Sequence, residues 1–274
     1  MWKWKWPKKK DKNAQNGYQK LKFKLGLALS GGGTRGFAHI GVLRAFEEEH
    51  IRFDYVAGTS AGSLIGSMYC AGVTCEQMIE ASKQVKQRDI VGRLFINSDS
   101  NNIAKVANRL LADKTFKDLS IPFAAVAVDI SDGQEVILTK GSVAKAVSAS
   151  CAVPVVFKPV ELDGMVLVDG GLLNNMPADV CRRMGAEVVI GVDLNCHRGS
   201  GTKSRKLKDT ALATWSIVTK SSMYKGNHNS DLVIEPELLE YKNTSLKHID
   251  EMVEEGYRAA KEKMAEIKEL LQIK

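Results

Sequence analysis

Three short stretches carry residue types that could do chemistry. The first is "SGGGTRG", which holds Gly31, Gly32, Gly33, Arg35 and Gly36 between the apolar run "LGLAL" and a helix-like pattern. Glycine reaches backbone shapes closed to other residues, so several N–H groups can converge on one negative oxygen. The helix that follows would point its positive end at the same place. The second stretch is "GTSAG", with Gly58, Ser60 and Gly62. GxSxG alone is a weak pattern. Its place here, after the short strand "DYVAG" and before the helix "SAGSLIGSMYCAG", is what a nucleophile elbow requires: a tight turn that leaves a serine hydroxyl exposed at a strand–helix junction. The third is Asp169, which ends the apolar run "VLVD" and is followed by Gly170 and Gly171. A carboxylate at the end of a buried strand can be aimed at the end of a neighbouring strand. Asp132 and Asp163 also precede glycine, but both read as ordinary turn aspartates between hairpin strands.

A serine is a poor nucleophile without a base. The five histidines are His39, His50, His197, His228 and His248. None stands at a clear strand end with its own carboxylate, as a triad would need. The five cysteines, Cys70, Cys75, Cys151, Cys181 and Cys196, are odd in number and show no CxxC spacing. They read as small buried hydrophobes in a reducing compartment, not as a disulfide framework or a zinc site. One competing reading uses Gly31, Gly33 and Gly36 as a dinucleotide-binding GxGxxG. That fingerprint wants an acid at the end of the second strand. Asp54 has about the right distance, but it begins that strand, and "GTSAG" occupies its end.

The elements that must position these groups alternate along the chain. "LGLALS" reads as a buried strand and "RGFAHIGVLRAFEEEH" as a helix, with Phe37, Ile40, Leu43 and Phe46 at helical spacing. "TCEQMIEASKQV" opens with Thr74 and Gln77 in a capping-box pattern. "IPFAAVAVDI" and "QEVILTK" form a hairpin across "SDG", and "VVFKPVEL" and "MVLVDGG" form another across "DG". "SVAKAVSASCAV" is helical as far as Pro154. "MPADVCRRMG" is a helix begun near Pro177 and ended at Gly185. "AEVVIGVDL" and "DLVIEPEL" are strands. The polar stretch 195–206 reads as an exposed loop, and "LKDTALATWSIVTKSSMY" after it as a helix. A charged amphipathic helix closes the chain from about Ser245. No linker divides residues 25–274, so the pattern predicts one α/β domain with a mixed sheet.

The formal net charge of +7 is unevenly placed. Residues 1–24 hold nine lysines and one acid, so the body beyond them is close to neutral. A nucleic-acid partner is therefore not expected, since that needs basic residues clustered on the fold itself. Residues 1–24 read as a flexible basic tail ahead of the domain 25–274. In "MWKWKWPKKK", tryptophan suits a membrane boundary and lysine an anionic headgroup, so residues 1–20 point to peripheral contact with anionic lipid. No apolar run reaches membrane-spanning length and no secretory signal is read. A cytoplasmic protein, with peripheral membrane association, is expected.

Taken together and in order, "GGGTRG", "GTSAG" and "DGG" resemble the patatin-like phospholipase family. "RGFAHIGVLRAFEE" is similar to the helix after the loop in bacterial members. "SASCAVPVVFKPV" is similar to the segment before the DG strand, although Val155 stands where a small residue is usual. The resemblance implies a three-layer α/β/α fold with a mixed, mostly parallel central sheet. It implies a serine acyl hydrolase working through a Ser–Asp dyad: Ser60 as nucleophile and Asp169 as general base. Gly31, Gly32, Gly33 and Arg35 would form the oxyanion hole, and Gly36, Gly58, Gly62, Gly170 and Gly171 would be motif glycines. The substrate would be an acyl lipid, and no metal or cofactor is implied. At its ordinary pKa of about 3.9 an aspartate is a weak base, so this scheme leans on positioning and on the oxyanion hole. A non-catalytic membrane-surface or regulatory module on the same scaffold is the alternative.

Overall fold

The computed structural model describes residues 17–84, 98–99, 101–195, 204, 206–242 and 244–273. Its centre is an eight-stranded sheet. The strands are β1 (Leu25–Leu29), β2 (Tyr55–Thr59), β3 (Phe123–Asp129), β4 (Gln134–Leu138), β5 (Val160–Leu162), β6 (Met165–Asp169), β7 (Val188–Val192) and β8 (Leu232–Ile234). β1 pairs parallel with β2 and β7, β2 with β3, and β7 with β8. β3–β4, β3–β6 and β5–β6 are antiparallel. The sheet is thus mixed and mostly parallel at its centre. Its inner strands are buried on both faces, which is why they read as continuous apolar runs.

Side chains alternate across each strand, and the two faces bury separate clusters. Leu25, Leu27, Leu29, Val56 and Phe123 face α1 (Ala38–Glu48) and α2 (Ala61–Cys70). The same cluster takes in α3 (Cys75–Gln84), α4 (Asn101–Leu111), α5 (Val143–Ser150), α9 (Ile249–Glu262) and α10 (Met264–Leu270). On the other face, Ala28, Ala57, Ala124, Val126 and Val189 pack with α6 (Ala178–Met184) and Met223 of α8 (Met223–Asn229). The result is the three-layer α/β/α arrangement.

Local signals held in several places. Thr74 and Gln77 close the capping box, with N–H bonds of 3.0 and 3.2 Å. α6 ends on Gly185 at φ 114. The first helix differs from the pattern: Gly33–Phe37 is a 3-10 turn and the α-helix begins only at Ala38. The closing helix is split at Lys263 into α9 and α10. α4 is an element for which the sequence reading has no counterpart, although Ile103, Ala107 and Leu111 recur at helical spacing and are buried. Of the tail, residues 17–24 lie against the body. Gln19 bonds to the carbonyls of Glu49 and His50, Lys24 pairs with Asp54 at 2.8 Å, and Leu21 and Phe23 pack on the core. The flexible segment expected over 1–24 therefore does not include these eight residues. Residues 1–16, with the tryptophans, are outside the described residues, as is most of the loop expected at 195–206.

α1 and α9 cross at backbone contact. A Cβ on Gly41 would lie 1.8 Å from the Val253 carbonyl oxygen, and one on Gly256 would lie 1.9 Å from that of Ala38. Only glycine fits both helices at this crossing. Gly41→Ala should lower stability by about 1–3 kcal/mol or more, because rigid backbone must move. Gly133→Ala, in an open turn at φ +71, should lose only about 1 kcal/mol. Urea denaturation of the two variants measures the difference.

Candidate active site

The registers of β3 decide what meets what. A strand residue has two pairing edges. Ala125 and Val126 pair with both β2 and β4, and Ala127 to Asp129 pair with both β4 and β6. β2 and β6 must therefore share the edge opposite β4, one beyond the other. β2 ends at Thr59 opposite Val126, and β6 ends at Asp169 opposite Ala127. Two strands running towards each other thus stop at neighbouring rows, which brings Ser60 and Asp169 to one point.

Ser60 sits at the elbow with φ 52 and ψ −125, a conformation rare for a residue with a side chain. The turn is tight enough that a Cβ on Gly62 would lie 2.1 Å from the Leu29 carbonyl oxygen. A Cβ on Gly58 would lie 2.4 Å from that of Gly62. The Ser60 N–H donates to Ser150 Oγ at 2.9 Å, and Ser150 Oγ donates to the Val126 carbonyl at 2.6 Å. Ser150, at the end of α5, therefore ties the strained turn to β3. Nothing in the sequence pattern marks it, because the bond spans ninety positions.

Asp169 is 1% exposed. Its Oδ1 accepts the Gly171 N–H at 2.8 Å, and its Oδ2 has no hydrogen-bond partner among the described residues. Burial pushes its pKa up to about 7, against the Ser60 hydroxyl and the Gly171 N–H, which favour the charged form. The weak base expected from an ordinary aspartate is corrected here: desolvation brings its pKa close to neutrality. Gly170 has no room for a side chain, since a Cβ would lie 2.4 Å from the Val126 carbonyl oxygen. Cys151 lies beside the pair, and burial, with the charge of Asp169, holds its thiol well above the usual range.

The glycine loop is held from several sides. The Gly31 N–H donates to the Asn175 carbonyl at 3.0 Å, and the Gly31 carbonyl accepts Asn195 Nδ2 at 2.6 Å. Gly31 is placed in the loop as expected, but its N–H is engaged and is not open to a ligand. Gly32 caps the 3-10 turn and Gly33 opens it, and their N–H groups have no partner among the described residues. Arg35 is 7% exposed, and its Nε donates to the Tyr241 carbonyl at 2.9 Å. Its side chain straps the loop to the segment before α9 and does not lie on the surface. Gly36 packs on Ala61, where a Cβ would come within 2.5 Å. Asn175 and Asn195 went unsignalled in the sequence, because an asparagine shortly after a strand or a glycine turn looks like any loop residue.

The remaining candidates fall elsewhere. His39 is fully buried, donates from Nε2 to the Ser30 carbonyl at 2.8 Å, and has its pKa lowered to about 4 by burial. It is a neutral brace behind the loop. No histidine lines the cavity described below among the described residues, and His197 is outside them. Asp54 accepts from Lys24 Nζ and the Leu25 N–H at the opposite end of the sheet, far from any use as a ribose ligand. Cys70, Cys75, Cys151 and Cys181 are free and buried. Among the described residues no cluster of His, Cys, Asp and Glu could hold a metal ion. No helix among them is long and apolar enough to cross a membrane.

Ser60, Asp169, Gly32 and Gly33 open into a cavity of about 460 Å³. Its walls are mainly apolar: Phe37, Leu64 and Ile65, then Ile103 and Val106 of α4, then Val153, Val156 and Phe157. Lys208, Leu212, Trp215 and Thr219 of α7 (Leu207–Ser221) complete them.

The patatin-like phospholipase family model matches residues 27–182, more than half of the chain, with Ser60, Asp169, Ser150, Asn175 and the glycine loop inside it and Asn195, Tyr241 and α7 beyond it. The chain belongs to this family. The mouse patatin-like phospholipase domain-containing protein 6 is 36% identical over 184 residues, covering 62% of this chain and 13% of that protein. An NTE family protein of Mycobacterium bovis is 34% identical over 178 residues, covering 63% of this chain and 49% of that one. Neuropathy target esterase sws of Drosophila melanogaster is 31% identical over 181 residues, covering 62% and 13%. The chain thus spans half or less of these relatives. Among solved structures, VipD from Legionella pneumophila shares the fold at a TM-score of 0.55 and 16% identity, covering 89% of this chain and 67% of that one.

Two expected outcomes follow from the geometry of the pair. Ser150→Ala should lower kcat about 10-fold to 100-fold with KM little changed, since the turn that aims Ser60 loses its tie to β3. Steady-state kinetics and a thermal melt separate this from unfolding. Asp169→Asn should stabilise the fold in a pH-dependent way. The folded pKa of about 7 lies above the unfolded value of 3.8, so stability is fullest below pH ~4 and is lost as pH rises through ~7. The variant should gain up to about 4 kcal/mol over the parent at pH 8 and little at pH 4. Urea melts at the two pH values measure this.

Proposed function

We propose that this chain is a serine acyl hydrolase that cleaves fatty-acyl esters of lipids through an acyl-Ser60 intermediate, with Asp169 as the base. The observation that carries the reading is the meeting of a strained serine and a buried carboxylate of near-neutral pKa, both lining one mainly apolar cavity. Asp169 takes the Ser60 proton as Oγ attacks the ester carbonyl carbon. The carbonyl electron pair moves onto oxygen, where the N–H groups of Gly32 and Gly33 receive it. Each such donor is typically worth about 2.7–4 kcal/mol in the transition state. The tetrahedral species collapses, the alcohol leaves with the proton from Asp169, and the acyl group stays on Ser60. Water then gives a proton to Asp169 and attacks the acyl carbon, and the acid departs as Ser60 regains its proton. A base of pKa near 7 suits both halves, because it can accept and return the proton near neutral pH.

The apolar walls suit an acyl chain, and the sequence similarity to proteins named as phospholipases and as an esterase supports a lipid ester. Contact of residues 1–20 with anionic lipid belongs to the same reading and rests on their composition. Ser60→Ala should lower release of fatty acid or p-nitrophenol by about a thousandfold or more with the fold intact. In the unaltered protein kcat/KM should rise with pH through about 7 and fall about tenfold per unit below it. Activity that survives the substitution, or a profile flat from pH 5 to 8, would remove the dyad.

A further inference from the structure

Seven large hydrophobic side chains are exposed among the described residues, and three of them, Leu207, Ile217 and Tyr224, fall within eighteen positions. They are 86%, 52% and 78% exposed. Single exposed hydrophobics need no explanation, but a cluster does. Helical spacing sets Leu207, Thr210, Thr214, Ile217 and Ser221 on one stripe of α7, all exposed and all uncharged. Tyr224 continues the stripe at the start of α8. Lys206 and Lys220 flank it on one side. The single acid between 206 and 224 is Asp209, which accepts from Ser204 Oγ. The opposite stripe, Lys208, Leu212, Trp215 and Thr219, is a wall of the cavity.

A helix with Leu212 and Trp215 on a cavity wall inward and an uncharged, hydrophobic-tipped stripe outward, bordered on one side by lysines, has the pattern of one that lies in a lipid interface. The lysine border, Lys206 and Lys220, suits an anionic headgroup layer and gives no advantage against a neutral or basic partner. We propose that the outer face of α7, from Leu207 to Ser221 with Tyr224 beyond it, docks on an anionic phospholipid bilayer. The choice of lipid as the occupant rests on the acyl-ester reading of the cavity behind the helix. Docked in this way, the bilayer would hold its acyl chains one helix away from Ser60.

The test uses the full chain carrying Ser60→Ala, so that vesicles are not consumed. Co-sedimentation is measured with vesicles of phosphatidylcholine alone and of phosphatidylcholine mixed with phosphatidylglycerol. The parent should partition to the mixed vesicles, less so as salt rises. Leu207→Ser, Ile217→Ser and Tyr224→Ser together should lower that partition about tenfold or more. Leu207→Glu alone should lower it severalfold and guards against a fold disturbed by three changes. In the Ser60 background, both variants should hydrolyse a soluble p-nitrophenyl ester within about twofold of the parent, since none of these side chains lines the cavity. Unchanged partition in both variants would assign membrane contact to residues 1–20 and overturn the proposal. So would a parent that binds no vesicle, or a dimer in light scattering that the triple variant dissolves, because the face would then be covered by a second copy. Failure of ester hydrolysis with vesicle binding intact would instead remove the hydrolase reading and leave the docking face standing.

Discussion

The edge of β3 opposite β4 is shared by two strands that run towards each other, and the site depends on that sharing. β2 fills it as far as Val126 and β6 fills it from Ala127 onward. A parallel strand and an antiparallel strand can end at adjacent rows only if each chain turns away sharply where they meet. Both do: Ser60 turns at φ 52 into α2, and Asp169 turns into the 3-10 turn Gly170–Leu172. The glycines at these points serve the crowding of two exits in one place. Gly62 has Leu29 against it and Gly170 has Val126. A side chain at either would push one strand end away from the other.

The same crowding sets the electrostatics. Asp169 is 1% exposed with the Cys151 thiol beside it, so its charge finds two stabilising groups and little water. Burial then outweighs them, and the pKa rises towards neutrality. The polar contacts that do exist nearby are spent on aiming. Ser150 holds the elbow, Asn175 and Asn195 hold Gly31, Arg35 holds the loop to Tyr241, and His39 holds Ser30. Each is a buried polar group with its partner, and together they leave Gly32 and Gly33 facing the cavity with their N–H groups unspent.

Much of the framework was legible along the chain because it rests on short-range patterns. The apolar runs of β1, β3 and β7, the capping box at Thr74, the stop at Gly185 and the elbow around Ser60 are each written within about ten residues. α4 went unread, although Ile103, Ala107 and Leu111 recur at helical spacing. The helix after the glycine loop was legible in kind but not in its start, because the 3-10 turn at Gly33–Phe37 answers to the strap from Arg35 to Tyr241, two hundred positions away. Residues 17–24 could not be told from a free tail by composition. What holds them is the turn at 49–54, which they meet only once β1 and α1 have folded.

The sequence by itself determined which atoms are available: a serine between two small residues, a carboxylate ahead of two glycines, and a run of glycine amides after a buried strand. These follow from residue type and neighbouring spacing, which act over a single turn of chain. Tertiary structure decided what those atoms can do. It placed Ser60 and Asp169 on one edge of β3, engaged the N–H of Gly31 while leaving those of Gly32 and Gly33, and moved the Asp169 carboxyl to a pKa near 7. The reason is that pairing register, burial and desolvation depend on segments far apart in the chain, and no local pattern records which of them will come to lie side by side.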